Sequence, residues 1–267
     1  MHLFDFAEVG TVELKLRRAH RCAIRTRYHS SEMRLYQLAF ACRLYSSFGR
    51  EFDEATKVFR QSAGTNLALS DREQGRALMV WLNKWGCRQF AKDHHNFALD
   101  QLREWADSML TTLPQSQNSL IDLSDTSLIA AASAYEALRL RLAGQKRSGG
   151  ADISVRFGPT GSAKILYALR PECFPPWDDP IRGHFDWDGT GASYYRFLNK
   201  VKSEIIELVS DADRVGISLQ EIPRVVGRPD SSPPKLVDEY YWITITKQLE
   251  IPMQTELARW SSWGRSS

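Results

Sequence analysis

From residue 156 to residue 182 the chain reads RFGPTGSAKILYALRPECFPPWDDPIR. Two kinds of chemistry stand at a fixed distance in that stretch. Gly158, Pro159 and Gly161 spell a tight turn, and Ile165, Leu166 and Leu169 give the segment after it the apolar face of a short helix. Backbone N–H groups at such a turn, with Thr160 inside it, hold a phosphate. One helix later come the carboxylates of Asp178 and Asp179, with Pro180 and Arg182 behind them. A phosphate clamp at a set distance from a carboxylate suits chemistry on nucleic acid. The plainer reading of Asp178 is a helix cap, with Pro180 in the first turn. The two readings are compatible, since a capping Asp can face a cleft. Lys164 reads as a solvated helix residue or a phosphate contact.

Other residues offer partial signals. Lys146 and Arg147 lie in a Gly-rich stretch, 144–150, read as a long loop beside the turn and well placed for a nucleic-acid backbone. Lys15, Arg17, Arg18, Arg21, Arg25 and Arg27 put Arg18, Arg21 and Arg25 on one helical face, either a phosphate ridge or a solvated face. The chain has 8 Trp, 9 Tyr and 12 Phe, far more than one stacking pocket needs, so most must be core. Trp177 is singled out because it directly precedes Asp178, and Trp81 and Trp85 are the other pocket candidates. Asp93-His94-His95 does not read as a metal site, because adjacent helical side chains point about 100° apart; a surface pair is expected. Asp186-Trp187-Asp188-Gly189 reads as a turn, since it lacks the spaced ligands of a calcium loop.

Composition narrows the class. With 43% hydrophobic and 25% charged residues the chain is an ordinary globular sequence. A net charge of +3 gives no general argument for nucleic acid, so local clustering must carry it. No apolar run reaches the length of a membrane span, and the first residues, MHLFDFAEVG, do not read as a signal peptide. The expectation is therefore a cytoplasmic protein with no membrane partner. Cys22, Cys42, Cys87 and Cys173 are far apart and read as reduced thiols, mostly on apolar faces.

The elements that must position these residues are almost all helical. Helices are expected over 12–27, 31–48, 72–85 (opened by a capping box at Ser70-Asp71-Arg72-Glu73), 92–110, 126–143, 193–209 and 234–249. Two weak strand candidates are 152–155 and 243–245.

The segment that carries the turn, the helix and the Asp resembles the helix-hairpin-helix DNA glycosylase superfamily. Gly158 matches the second hairpin glycine, 162–166 the following helix, and 176–182 the segment with the catalytic Asp. Arg156 stands where the family has its first hairpin glycine. The resemblance covers roughly 126–210. It implies a mostly α, two-lobed fold with the site in the cleft, here a lobe from both termini (1–69 with 211–267) and a central lobe (70–210) carrying the hairpin and Asp178. It implies double-stranded DNA as the partner of a monomer, bound through Gly158, Thr160, Gly161, Lys164, Lys146, Arg147 and Arg182, with the extruded base received by Trp177, Trp81 and Trp85. Asp178 would stabilise the positive charge that builds on the sugar as the N-glycosidic bond breaks. Thr160 falls where bifunctional members carry a nucleophilic Lys, so hydrolysis without strand cleavage is implied. The closely spaced cysteines of iron–sulfur members are missing, so no cluster, metal or other cofactor is expected. The departures from the usual hairpin point to an unusual base, such as hydroxymethylated or glucosylated phage cytosine in antiviral defence. The alternatives are housekeeping repair of alkylated or oxidised bases, and a non-catalytic DNA-binding module.

Overall fold

The computed structural model describes residues 33–256 except 65, 89, 91, 149 and 150, and the side chains of 146–148, 151 and 152 are also set aside. The expected helix over 12–27, its basic run and Cys22 lie outside the described residues. The chain divides into two units, 1–33 and 34–267, and all the elements named below belong to the second.

Helices dominate, as the periodicity predicts. They are α1 (Leu35–Phe48), α2 (Arg50–Ala63), α3 (Arg72–Lys84), α4 (His95–Met109, after a 3-10 turn at Lys92–His94), α5 (Asp125–Leu140), α6 (Gly158–Leu169), α7 (Asp179–His184), α8 (Gly191–Asp213), α9 (Ile222–Val225) and α10 (Pro233–Tyr241). Local chemistry sets several starts. Asp71 caps α3 by accepting from the backbone N–H groups of Glu73 and Gln74, Ser124 caps α5 through Ser127 N–H, and Thr190 caps α8 through Ser193 N–H.

Two expectations are corrected. The described part of the stretch 144–150, residues 144–148, is not a loop: β1 (Leu142–Ser148) and β2 (Ala151–Arg156) pair antiparallel, with Lys146 opposite Ile153 and Arg147 opposite Asp152. Strand 152–155 was legible, but its partner was hidden by the glycine and charges of GQKRS. Residues 243–245 are not a strand either. They lie in a π-helical turn, Trp242–Thr246, that continues α10, because Ile243 packs inward with Ala41 and Tyr45 and a helical turn delivers it there. α2 was not anticipated.

The packing is built around α6. Every residue from Gly161 to Leu169 is buried, the mark of a helix surrounded by protein, and α3 and α5 pack against it. α5 in turn lies on α8, close enough that a Cβ on Gly191 would meet the Ala132 carbonyl oxygen at 2.9 Å. α1 packs on α10, so segments 35–48 and 233–241 meet. Two aromatic clusters result. One holds Phe59, Trp81, Trp85 and Tyr167; the other holds Tyr135, Trp177, Tyr194 and Phe197. The link between α6 and α7 runs between them. Among the described residues no helix is long and apolar enough to cross a membrane.

Candidate functional site

Residues 177–179 separate three environments over three positions. Asp178 is extended, with φ −89° and ψ 158°, and the helical backbone of α7 begins at Asp179. Trp177 turns into the second aromatic cluster, fully buried and stacked on Phe197 with centroids 5.0 Å apart. Asp179 turns out, its side chain 91% exposed. Asp178 lies between, its side chain 26% exposed. It sits at the N-cap of α7 but makes no side-chain cap hydrogen bond, so its carboxylate is not consumed by the helix end.

The partner of Asp178 is Lys164. Its Nζ lies 2.7 Å from Asp178 Oδ1, and only 4% of the lysine side chain is exposed. The same Nζ donates to the Trp85 carbonyl at 2.6 Å and lies 5.5 Å from the Trp85 ring centroid. This corrects the expectation of a solvated helix residue. The central position of α6 leaves no solvent face, so a lysine there must bring its own counter-charge. An ammonium held by a carboxylate and a carbonyl acts as an anchor for Asp178.

Arg182 is also an internal clasp. It is 7% exposed and its guanidinium bonds the Trp177 carbonyl at 2.8 Å, Thr160 Oγ1 at 3.0 Å and Asp179 Oδ1 at 2.8 Å. Thus Thr160 in the turn is tied to both sides of Asp178 through one planar group. The turn itself keeps its donors available. Gly158 has φ +67°, with open space where a Cβ would stand, and α6 has no side-chain cap and no acidic residue in its first turn. Gly161 is buried against the core.

The expected stacking residues are core residues. Trp81 donates to Thr56 Oγ1 at 3.1 Å and Trp85 to the Phe52 carbonyl at 3.1 Å, and the two rings lie 4.6 Å apart. With Trp177 fully buried between Phe197 and Arg182, a base reaches none of these three rings without displacing protein. Lys146 and Arg147 lie on β1, two residues and one residue before its end.

The histidine pair is half-buried rather than superficial: His94 Nδ1 accepts from Gln145 N–H at 2.9 Å, and His95 Nε2 lies 3.1 Å from the Phe90 carbonyl. Asp188 forms a turn, as its sequence implies. Its carboxylate accepts from Thr190 N–H and from the Thr190 and Ser193 hydroxyls, which hold it well below the usual carboxylate range, Ser193 first. Cys42, Cys87 and Cys173 are free and buried, and burial pushes the Cys87 thiol up to about 11. Among the described residues no group of three or more His, Cys, Asp or Glu side chains is placed to hold a metal ion.

An open groove of about 820 Å³ lies elsewhere, between α5 and the start of α8, lined by Ile129, Ala132, Glu136, Gly191, Tyr195 and Arg196 among others. Sequence reasoning missed a second feature, the charged residues of α10. Lys235, Asp238 and Glu239 are 3%, 5% and 0% exposed. The signal was available: a nine-residue helix reading PPKLVDEYY has too few aliphatic positions to fill a core by itself.

Comparison with protein-family models, with curated proteins and with solved structures finds no match for this chain.

Proposed function

We propose that the protein is a monofunctional DNA N-glycosylase in which Asp178 stabilises the cationic sugar. The observation that carries the reading is the state of Asp178: a carboxylate unused as a cap, anchored at 2.7 Å by a buried lysine, yet a quarter open to solvent. An oxocarbenium-like transition state needs a fixed negative charge already in place, so that nothing has to reorganise as positive charge develops. Lys164 supplies the fixing, and the open edge of Asp178 faces the reaction.

Two further features support the reading. The uncapped start of α6, with the left-handed Gly158, offers backbone donors to a phosphate. The Arg182 clasp joins Thr160, in that turn, to the residues on either side of Asp178, which sets the phosphate-to-carboxylate distance. Thr160 has no amine, and Lys164 is held by Asp178 and the Trp85 carbonyl, so water is the nucleophile.

The test is a panel of duplexes carrying alkylated, oxidised, hydroxymethylated or glucosylated bases, treated with the protein and then with hot alkali. Abasic sites are expected in at least one duplex, without cleavage before alkali and without borohydride trapping. Abasic sites confined to hydroxymethylated or glucosylated cytosine assign the protein to defence against modified phage DNA; sites in alkylated or oxidised duplexes assign it to repair. DNA binding with no abasic product anywhere leaves a binding module and rejects the enzyme.

A further inference from the structure

The last carbonyls of a helix have no partner within it and must find one elsewhere. Trp85 stands at the C-cap of α3. The carbonyls of Trp81, Leu82 and Asn83 accept from the N–H groups of Trp85, Cys87 and Gly86 at 2.9, 2.9 and 3.1 Å. Gly86 is left-handed, with φ +83°. These are the bonds of a glycine-ended turn, which fixes the direction of the final peptide groups. The Trp85 carbonyl is met from outside the helix, by the Lys164 ammonium at 2.6 Å. A helix C-terminus carries partial negative charge, so an ammonium is favoured there.

Four elements hold the Trp85 indole. Its Nε1 donates to the Phe52 carbonyl of α2 at 3.1 Å. Trp81 of α3 lies 4.6 Å away and Tyr167 of α6 stacks at 5.8 Å. From α10, the Lys235 ammonium stands 5.3 Å from the ring centroid, in reach of a cation–π attraction, and is itself held by Asp238 at 2.7 Å. With the ring and the backbone both fixed, the Trp85 carbonyl has one direction, and that direction meets Lys164.

We propose that Trp85 is a positioning residue for Asp178, acting through the Lys164 ammonium that the Trp85 carbonyl and the Asp178 carboxylate hold between them. The proposal rests on the reading of Asp178 as the charge that stabilises the sugar cation. A lysine carries its charge on a flexible stem. With Asp178 as its one partner, the ammonium would follow the carboxylate wherever it turned and neutralise it. The hydrogen bonds of 2.7 Å to Asp178 and 2.6 Å to Trp85 instead share the ammonium between a carboxylate and a helix end. Asp178 is thereby fixed in direction and keeps part of its negative potential toward its open edge.

Two readouts on the full chain test this, with Trp105→Phe as the control. Trp105 is another fully buried indole, and it donates to the Ala134 carbonyl at 2.9 Å, so its replacement loses the same kind of bond elsewhere in the core. The first readout is hydrogen exchange of the Lys164 ammonium, followed by its nitrogen–proton NMR signal and assigned by the loss of that signal in Lys164→Met. Trp85→Phe keeps a ring but loses the bond to Phe52. It should speed the exchange several-fold and shift the Asp178 carboxyl carbon signal, and Trp105→Phe should do neither. Wild-type exchange or an unshifted carboxyl signal in Trp85→Phe, or an equal disturbance by Trp105→Phe, overturns the proposal. If Trp85→Phe does not fold, Gly86→Ala strains the peptide that presents the carbonyl, without a clash because its Cβ enters open space. Gly86→Ala must then speed the exchange, and Gly86→Asn, which tolerates the left-handed region, must restore it; unmoved exchange in Gly86→Ala overturns the proposal. This readout needs no base release and so stands if the glycosylase reading fails. The second is single-turnover base release from duplexes carrying hydroxymethylcytosine or an alkylated purine. Trp85→Phe should be several-fold slower with DNA affinity unchanged, and Trp105→Phe near wild type. A Trp85→Phe variant with the full rate refutes the positioning role, whereas a wild type with no release on any duplex rejects the function alone.

Discussion

Replacing Lys164 by Met keeps an unbranched stem of similar length and removes the charge. Two groups then lose a donor, the Asp178 carboxylate at 2.7 Å and the Trp85 carbonyl at 2.6 Å. Breaking a fully buried pair by removing one partner costs about 3–5 kcal/mol. Asp178 keeps 26% of its side chain exposed, so water recovers part of its solvation and the cost belongs at the lower end. The Trp85 carbonyl is deeper, and a stranded buried acceptor costs about 1–3 kcal/mol. The expected loss is about 3 kcal/mol, a fall of about 1 M in the urea midpoint for a slope near 3 kcal/mol/M. Tryptophan fluorescence reads it, since Trp85 is the neighbour of the lost ammonium. A double-mutant cycle with Asp178→Asn isolates the pair and should give a coupling of about 1–3 kcal/mol. A Lys164→Met variant within about 0.5 kcal/mol of the parent, or strictly additive single effects, would refute Lys164 as the anchor of Asp178.

Gly191→Ala should destabilise by about 1–3 kcal/mol, because the new Cβ meets the Ala132 carbonyl oxygen at 2.9 Å and α5 and α8 must part; thermal unfolding checks it. The Asp238 carboxyl has its folded value raised from 3.8 to about 6, so its contribution to stability is full below pH 4 and is lost as pH rises through 6. At about 1.4 kcal/mol per unit, the stability of the wild type relative to Asp238→Asn should fall by about 3 kcal/mol between pH 4 and pH 7.5; a constant difference would contradict the burial argument. Replacing Lys146 and Arg147 together by Ala should weaken DNA binding across sequences and flatten the salt slope by up to about 2 units, and an unchanged slope would show that β1 does not meet the backbone.

Much of the helical framework was legible because amphipathic stripes and caps are local. Leu35, Leu38, Ala39, Cys42 and Tyr45 read as one stripe and announce α1, of which Leu38, Cys42 and Tyr45 are buried, and the capping box at 70–73 announces α3, which Asp71 caps. α2 went unread although Phe52, Thr56, Phe59 and Ala63 form a stripe, because charged residues fill the rest of that helix. The choice between Asp178 and Asp179 followed from register alone; their side chains are 26% and 91% exposed. The roles of Lys164, Arg182 and Trp177 were not legible, since each depends on what packs around α6. A basic residue reads as solvated until its helix proves to be central. The α10 charges show the same limit: 234–249 reads as one more amphipathic helix until Arg228, Tyr45 and Trp85 are found against its charged residues.

The proposed chemistry depends on one carboxylate, and the most direct test compares Asp178→Asn with Asp179→Asn in alkali-revealed base release from the modified duplex panel. Asp178→Asn should lose release by at least about a hundredfold, the scale of removing one placed electrostatic group, with DNA affinity unchanged and Asp179→Asn near wild type. Equal activity of Asp178→Asn and the wild type, or inactivation by Asp179→Asn instead, would contradict it.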